Sequence, residues 1–310
     1  MVKSIKLYNS FNIKDHHMRS IILIGNFDGI HLGHQKLFAL AKRYKKKYSL
    51  KIGVLNFEPM PKMYFNTKLK NFRISSQKQK INFLYDLGVD FIITQKFNKN
   101  FSKMKSIIFI KNILGKKIKP KFVFVSNNFR FGNKREGDVH QLIKYESFCN
   151  YKIIKPKPLL TNNAIASSTL IRNFLQKGKL KKANNLLNRN WSIVGKVQKG
   201  KQLGKKIGFP TANIDIKNYV LAKPGVYSVR VKRQKGIKFL KGIANLGYRP
   251  TFNGKKILLE VHLFNFYGNL YNKYLTVEFV KFIRKERKFK NVDQLKKQIK
   301  IDLQIARKVK

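Results

Sequence analysis

The hydrophobic pattern of this 310-residue chain changes period near residues 187–190, and one layered domain cannot accommodate both halves. Upstream, apolar runs at 21–25, 52–57, 91–94, 122–125 and 151–154 read as strands. Between the first two, Leu37, Leu40, Ala41, Tyr44 and Tyr48 recur at helical spacing, and 81–87 and 107–114 carry further helical patterns. Gly88 stands where a helix C-terminus is capped. Pro59 and Pro61 end the second strand and are expected to exclude helix there. This βαβα rhythm predicts an α/β domain, a doubly wound parallel sheet covered by helices. Downstream, after helical patterns at 170–175 and 180–187, strands dominate: 226–231, 238–244, 257–264 and 275–282 are rich in β-branched and aromatic residues between Gly, Asn and Pro breaks. They predict an all-β antiparallel barrel. A last helix closes the chain, with Val292, Leu295, Ile299, Leu303 and Ala306 three or four apart and Asn291 and Gln294 spaced as a capping box. The expected domains are 1–187 and 188–310.

Composition narrows the class. Hydrophobic residues make up 43% and aromatics 13%, enough for two cores, so disorder is excluded. The single cysteine, Cys149, rules out an intrachain disulfide and suits a reducing cytoplasm. No signal-peptide pattern opens the chain, and no apolar run is long enough to cross a bilayer, so a membrane partner is not expected. The net charge of +54 raises a nucleic-acid-binding alternative. Lysines, however, are spread along the whole chain among Asn, Ile, Phe and Tyr, the residues of A/T-rich codons, which points to genome composition and not to a specific nucleic-acid partner. Small-molecule substrates are expected, with a monomer or weak homo-oligomer.

Two dense motifs carry chemistry. The first is Gly25-Asn26-Phe27-Asp28-Gly29-Ile30-His31-Leu32-Gly33-His34, between the first strand and the first helix. Glycines let the backbone turn and approach a ligand, and a helix N-terminus offers free N–H groups to phosphate. His31 and His34 share one helical face and can donate to phosphate oxygens. The plainer alternative is a turn with two incidental histidines. A companion is Ser167-Ser168-Thr169-Leu170-Ile171-Arg172, a helix start at which Arg172 could reach phosphate, or simply an N-cap. The second motif is Gly204-Lys205-Lys206-Ile207-Gly208-Phe209-Pro210-Thr211-Ala212-Asn213. Its glycines could cradle phosphates, and Thr211 and Asn213 offer neutral oxygens to Mg²⁺; a punctuated loop is the alternative. Glu260 and His262 fall on one face of a strand, where Glu260 could deprotonate a hydroxyl or simply face solvent.

Through these residues the chain resembles the bifunctional bacterial riboflavin kinase/FAD synthetases over about residues 1–307. The resemblance rests on G-N-F-D-G-I-H-L-G-H, S-S-T-L-I-R and Phe129-Arg130-Phe131-Gly132 in the first half. In the second it rests on G-F-P-T-A-N, Pro224-Gly225-Val226-Tyr227, L-E-V-H-L and Arg284-Lys285-Glu286-Arg287. It implies a Rossmann-like H-x-G-H nucleotidyltransferase domain followed by a six-stranded riboflavin kinase barrel with a terminal helix. The implied activities turn riboflavin into FMN and FMN into FAD, each with ATP, and Mg²⁺ serves the kinase. The implied ATP-binding residues of the first domain are Gly25, Asn26, Phe27, Asp28, Gly29 and Gly33 with His31 and His34, then Ser168, Thr169 and Arg172; Asn128 would lie near the flavin phosphate. In the barrel, Glu260 would be the catalytic base, Thr211 and Asn213 would hold Mg²⁺, and Gly204, Lys205, Gly208, Pro210, Asn245 and Arg284 would bind ATP and flavin. Two departures, Ser126 for the family's Gly and Met60 for its His, leave a kinase-only enzyme as an alternative. An aminoacyl-tRNA synthetase relative is less compatible, because no K-M-S-K-S companion is present.

Overall fold

The computed structural model describes residues 5–161, 164–200, 202, 204, 207–216, 218–233, 236, 238–251 and 254–309. It separates into two compact units. One comprises Met1–Leu69 and Gln77–Ser167, the other Lys70–Ser76 and Ser168–Lys310. By packing, the units divide between Ser167 and Ser168. The helices Ser168–Gln176 and Leu180–Leu187 pack on each other, and the second packs on a barrel strand, which joins them to the second unit. The short segment Lys70–Ser76 joins them. Arg73 pairs with Tyr219 as a bridge, and the buried Trp191 indole donates to the Ile74 carbonyl.

The first unit is the doubly wound sheet. Its strands are β1 (Lys6–Tyr8), β2 (Ile21–Ile24), β3 (Ile52–Glu58), β4 (Phe91–Lys96), β5 (Phe122–Phe124) and β6 (Lys152–Ile154), in the order β1-β4-β3-β2-β5-β6. Every pairing is parallel. The inner strands β2, β3, β4 and β5 are buried on both faces over most of their length, which explains their continuous apolar runs. Strand order reverses between β2 and β5, so the turn that leaves β2 sits at the switch point where open α/β sheets bind ligands. Pro61 corrects one expectation: it opens the short helix Pro61–Phe65, because the first helical position needs no N–H. The pattern at 107–114 is also longer than expected, an α-turn Ser106–Ile108 running into a π-helix Phe109–Ile118. A two-stranded ribbon, β7 (Leu160–Thr161) with β8 (Ala164–Ile165), ends this unit.

Asn56 is the anomaly of the sheet. It lies in β3 at 1% exposure, and neither amide atom has a hydrogen-bond partner among the described residues. A buried, unsatisfied amide costs about 1–3 kcal/mol. Asn56→Leu is therefore expected to raise the melting temperature of the first unit, read by calorimetry; an unchanged or lowered midpoint would contradict this.

In the second unit, β9 (Ser192–Gln198), β10 (Ala212–Asp215), β11 (Gly225–Arg233), β12 (Leu240–Thr251), β13 (Gly254–Leu263) and β14 (Tyr274–Lys285) close an antiparallel barrel in the order β10-β13-β12-β11-β14-β9. The terminal helix Val292–Arg307 packs against β11, β12 and β14. Its N-cap is as expected on one side, with Asn291 accepting from the Gln294 amide; Gln294 reaches back to the Lys290 amide, one residue earlier than a standard box. Asn272 takes φ +61 in its turn, a conformation asparagine tolerates.

Candidate active sites

The H-x-G-H turn builds the first site. Gly25 is tied to β3 by its N–H to the Leu55 carbonyl, and the chain then turns through three positive-φ residues, Phe27 (+48), Gly29 (+78) and Ile30 (+42). His31 is the N-cap residue of the helix Leu32–Tyr48, so it stands where the helix dipole favours an anion. Its ring stacks on His34 with centroids 3.7 Å apart. Gly33 makes this possible, since a Cβ there would come within 3.1 Å of the His31 ring. Burial, reinforced by the neighbouring His31, holds the pKa of His34 well below the ordinary histidine value, so His34 is neutral at pH 7. A neutral imidazole still has one N–H to donate.

On the opposite face of the same sheet end is an aromatic cleft. It is lined by Phe57, Phe97, Phe101, Phe109, Phe129 and Phe131, with Arg130, Lys134 and Arg135 at its edge. Phe129 and Phe131 stack with centroids 5.4 Å apart. Such a wall suits a flat, aromatic ligand that carries a negative tail.

The second site is a rung of the barrel. Asn213 on β10, Glu260 on β13 and Asn245 on β12 are direct cross-strand partners. Directly opposed residues project to the same face, so three polar side chains converge on the barrel's outer face, beside the terminal helix, while their neighbours Ile214, Leu246 and Leu259 fill the interior. All three line a cavity of about 360 Å³ together with Thr211, His262 and Arg284. Asn213 is buried and its Oδ1 has no hydrogen-bond partner among the described residues. That orphaned hard oxygen, next to the Thr211 hydroxyl, fits Mg²⁺. Pro210 and Thr211 also line a second cavity of about 300 Å³, with Phe266, Asn269 and Tyr271. Thr211 is thus shared by two hollows.

Comparisons with known proteins give the family of the chain. The FAD synthetase family model matches residues 13–170 and the riboflavin kinase model matches residues 187–310. The bifunctional riboflavin kinase/FMN adenylyltransferase of Buchnera aphidicola subsp. Schizaphis graminum is 40% identical over 96% of each chain. The Escherichia coli K12 enzyme of the same description is 37% identical over 93% of this chain and 91% of its own. The chain belongs to the bifunctional riboflavin kinase/FMN adenylyltransferase family. A solved structure described as a macrolide-efflux protein from Streptococcus pneumoniae covers the whole of both chains with a TM-score of 0.88 at 27% identity.

Within this family frame, the sequence-derived candidates divide as follows. Gly25, Asn26, Phe27, Asp28, Gly29, His31, Gly33 and His34 form one contiguous turn in the FAD synthetase half. Ser168, Thr169 and Arg172 begin a helix of the second packing unit, where Arg172 donates to the Phe72 carbonyl and stacks on the Phe72 ring at 3.7 Å. Asn128 is exposed and accepts from the Ser126 hydroxyl. Ser126 has no positive φ, so the strain that its replacement of glycine could bring is absent. Met60 is buried at 3% exposure, just before the helix at Pro61.

In the kinase half, Thr211, Asn213, Asn245, Glu260 and Arg284 meet in one cavity, which Gly204 also lines. Gly208 adopts φ +91, and the Pro210 carbonyl accepts from His262 Nδ1 at 2.8 Å. Lys205 lies outside the described residues. The segment read as a punctuated loop becomes strand β10 from Ala212 onward. Arg284 is engaged by its own protein: Nε and Nη2 donate to the Asp302 carboxylate on the terminal helix at 2.7–2.9 Å. Asp302, which is 2% exposed, was missed as a site residue; its signal in the sequence is an acid among the apolar helix positions Ile299, Leu303 and Ala306 in a chain poor in acids. Removing one partner of a buried ion pair typically costs about 3–5 kcal/mol. Asp302→Ala is expected to lower the melting point of the barrel and its kinase activity while FMN adenylylation persists, measured by calorimetry and the two half-reactions.

Proposed function

We propose that the barrel transfers the γ-phosphate of ATP to riboflavin, giving FMN and ADP, and that the α/β unit transfers the adenylyl group of a second ATP to FMN, giving FAD and pyrophosphate. The observation that carries the kinase half is the rung Asn213–Glu260–Asn245 opening onto a cavity of flavin-compatible size. Riboflavin occupies that cavity and ATP the neighbouring hollow, with Thr211 at the junction. Glu260 takes the proton of the terminal ribityl hydroxyl as its oxygen attacks the γ-phosphorus. Thr211 and Asn213 would hold Mg²⁺, which when bound neutralises phosphate charge. Asn245 orients the ribityl chain, Gly204 lines the flavin cavity and Pro210 the nucleotide hollow, Gly208 and Lys205 are assigned to nucleotide binding by the family resemblance, and Arg284 fixes the terminal helix as a wall of the flavin cavity.

In the other half, the turn from Gly25 to Gly33 receives the ATP phosphates, and His31 and His34 donate to them as charge develops at the α-phosphorus. An oxygen of the FMN phosphate attacks that phosphorus and the bond to the pyrophosphate oxygen breaks. The isoalloxazine lies in the aromatic cleft with its phosphate toward Asn128; for Ser168, Thr169 and Arg172 a phosphate-binding role rests on the likeness of S-S-T-L-I-R to the family motif. The reading puts the enzyme in the cytoplasm, without a specific nucleic-acid partner, as a monomer or weak homo-oligomer. Incubation with riboflavin, ATP and Mg²⁺, followed by chromatography of the flavins, tests it: FMN should appear first and FAD second. FMN with no FAD would leave only the kinase half.

A further inference from the structure

One charged side chain of the first unit is buried where none of the family motifs calls for it. Lys80, in the helix Gln77–Asp86, is 3% exposed, and its ammonium lies 3.3 Å from the carbonyl oxygen of Asn26. Asn26 is the second residue of the H-x-G-H turn. Burying a lysine is costly, and methionine would fill the same space without that cost. The bond it makes is informative. Across a trans peptide the carbonyl and the following N–H point in opposite directions. A carbonyl of Asn26 turned inward to Lys80 therefore turns the N–H of Phe27 outward, away from the core.

The rest of the turn needs such a hold. Phe27 and Ile30 are bulky residues at φ +48 and +42, conformations that persist only where the surroundings impose them. The turn is tied at its start by the Gly25 N–H to the Leu55 carbonyl and at its end by the Gln35 amide group, which donates to the Ile30 carbonyl. Lys80 supplies a tie between them, at the peptide that precedes the first strained residue, from a side chain that is ordinarily cationic.

We propose that Lys80 is a positioning residue for adenylyl transfer. It holds the Asn26–Phe27 peptide so that the Phe27 amide faces the ATP phosphates, and it adds positive charge beneath them. This rests on the adenylylation reading above. The test uses the full-length enzyme and its two half-reactions, with wild type, K80M, K80R and K80Q. In K80M, kcat for FMN to FAD should fall about 30- to 100-fold, the scale of a misplaced reacting group, with KM for FMN within about twofold. K80R should recover most of that loss, and riboflavin phosphorylation should stay within about twofold of wild type in all variants. FAD formation by K80M within about threefold of wild type overturns the proposal, as does a K80R variant as slow as K80M. If K80M fails to fold, K80Q decides: a fall beyond about tenfold supports a charged tie and a smaller one overturns it. Wild-type enzyme that makes no FAD at all would instead remove the underlying reading.

Discussion

Glu260→Gln is expected to cut FMN formation by about 10³-fold, within the range a positioned general base contributes. FAD formation from supplied FMN should be unchanged. The amide keeps the size of the carboxylate and a hydrogen-bonding capacity, so the rung with Asn213 and Asn245 stays packed. What it loses is the ability to accept a proton from the ribityl hydroxyl. The effect should therefore fall on kcat, with KM for riboflavin and ATP nearly constant, as for an interaction made only in the transition state. About 4 kcal/mol of barrel-specific transition-state stabilisation is at stake. Separate assays of the two half-reactions measure it. A Glu260→Gln enzyme that phosphorylates riboflavin at more than a tenth of the normal rate would show that the carboxylate is not the base.

The sheet and barrel were legible because their apolar residues repeat with the right periods. The strand at Ile21–Ile24 and the helix Leu32–Tyr48 follow directly from such runs. Strand β1 was not legible, since Lys6, Leu7 and Tyr8 are too few to show a period and acquire their pairing only from β4. Site residues within one turn, such as His31 and His34, could be seen in sequence because their proximity is local. The rung could not: Asn213, Glu260 and Asn245 meet only through the register of three strands, and register is a tertiary property. The same holds for Arg284 and Asp302, which are joined by the packing of a helix on the barrel. Packing likewise moved the helices at 168–187 into the barrel's unit, because hydrophobic period identifies a helix without naming the surface that it covers.

His31→Ala should slow FAD formation by about 10²- to 10³-fold, the usual cost of removing one donor aimed at developing charge, while FMN formation continues. The geometry of the pair explains why His31 is the more informative of the two. His34 lies within the helix and its depressed pKa keeps it neutral, so it contributes a hydrogen bond without a charge. His31 sits at the N-cap, where the backbone leaves the strained turn and the helix dipole begins. Its ring is sandwiched over Gly33 and against His34, so its direction is fixed before any phosphate arrives. Such preorganisation is what lets a donor act in the transition state without reorganisation at that moment. His31→Ala removes the donor and also the stacking partner that orders His34. His34→Ala leaves His31 on its cap, so its loss should be the smaller of the two. Single-turnover formation of FAD at saturating ATP and FMN measures both. Equal losses of FAD and FMN formation in His31→Ala would mean that the turn supports the whole chain's folding, and the division of labour between the two units would fall with it.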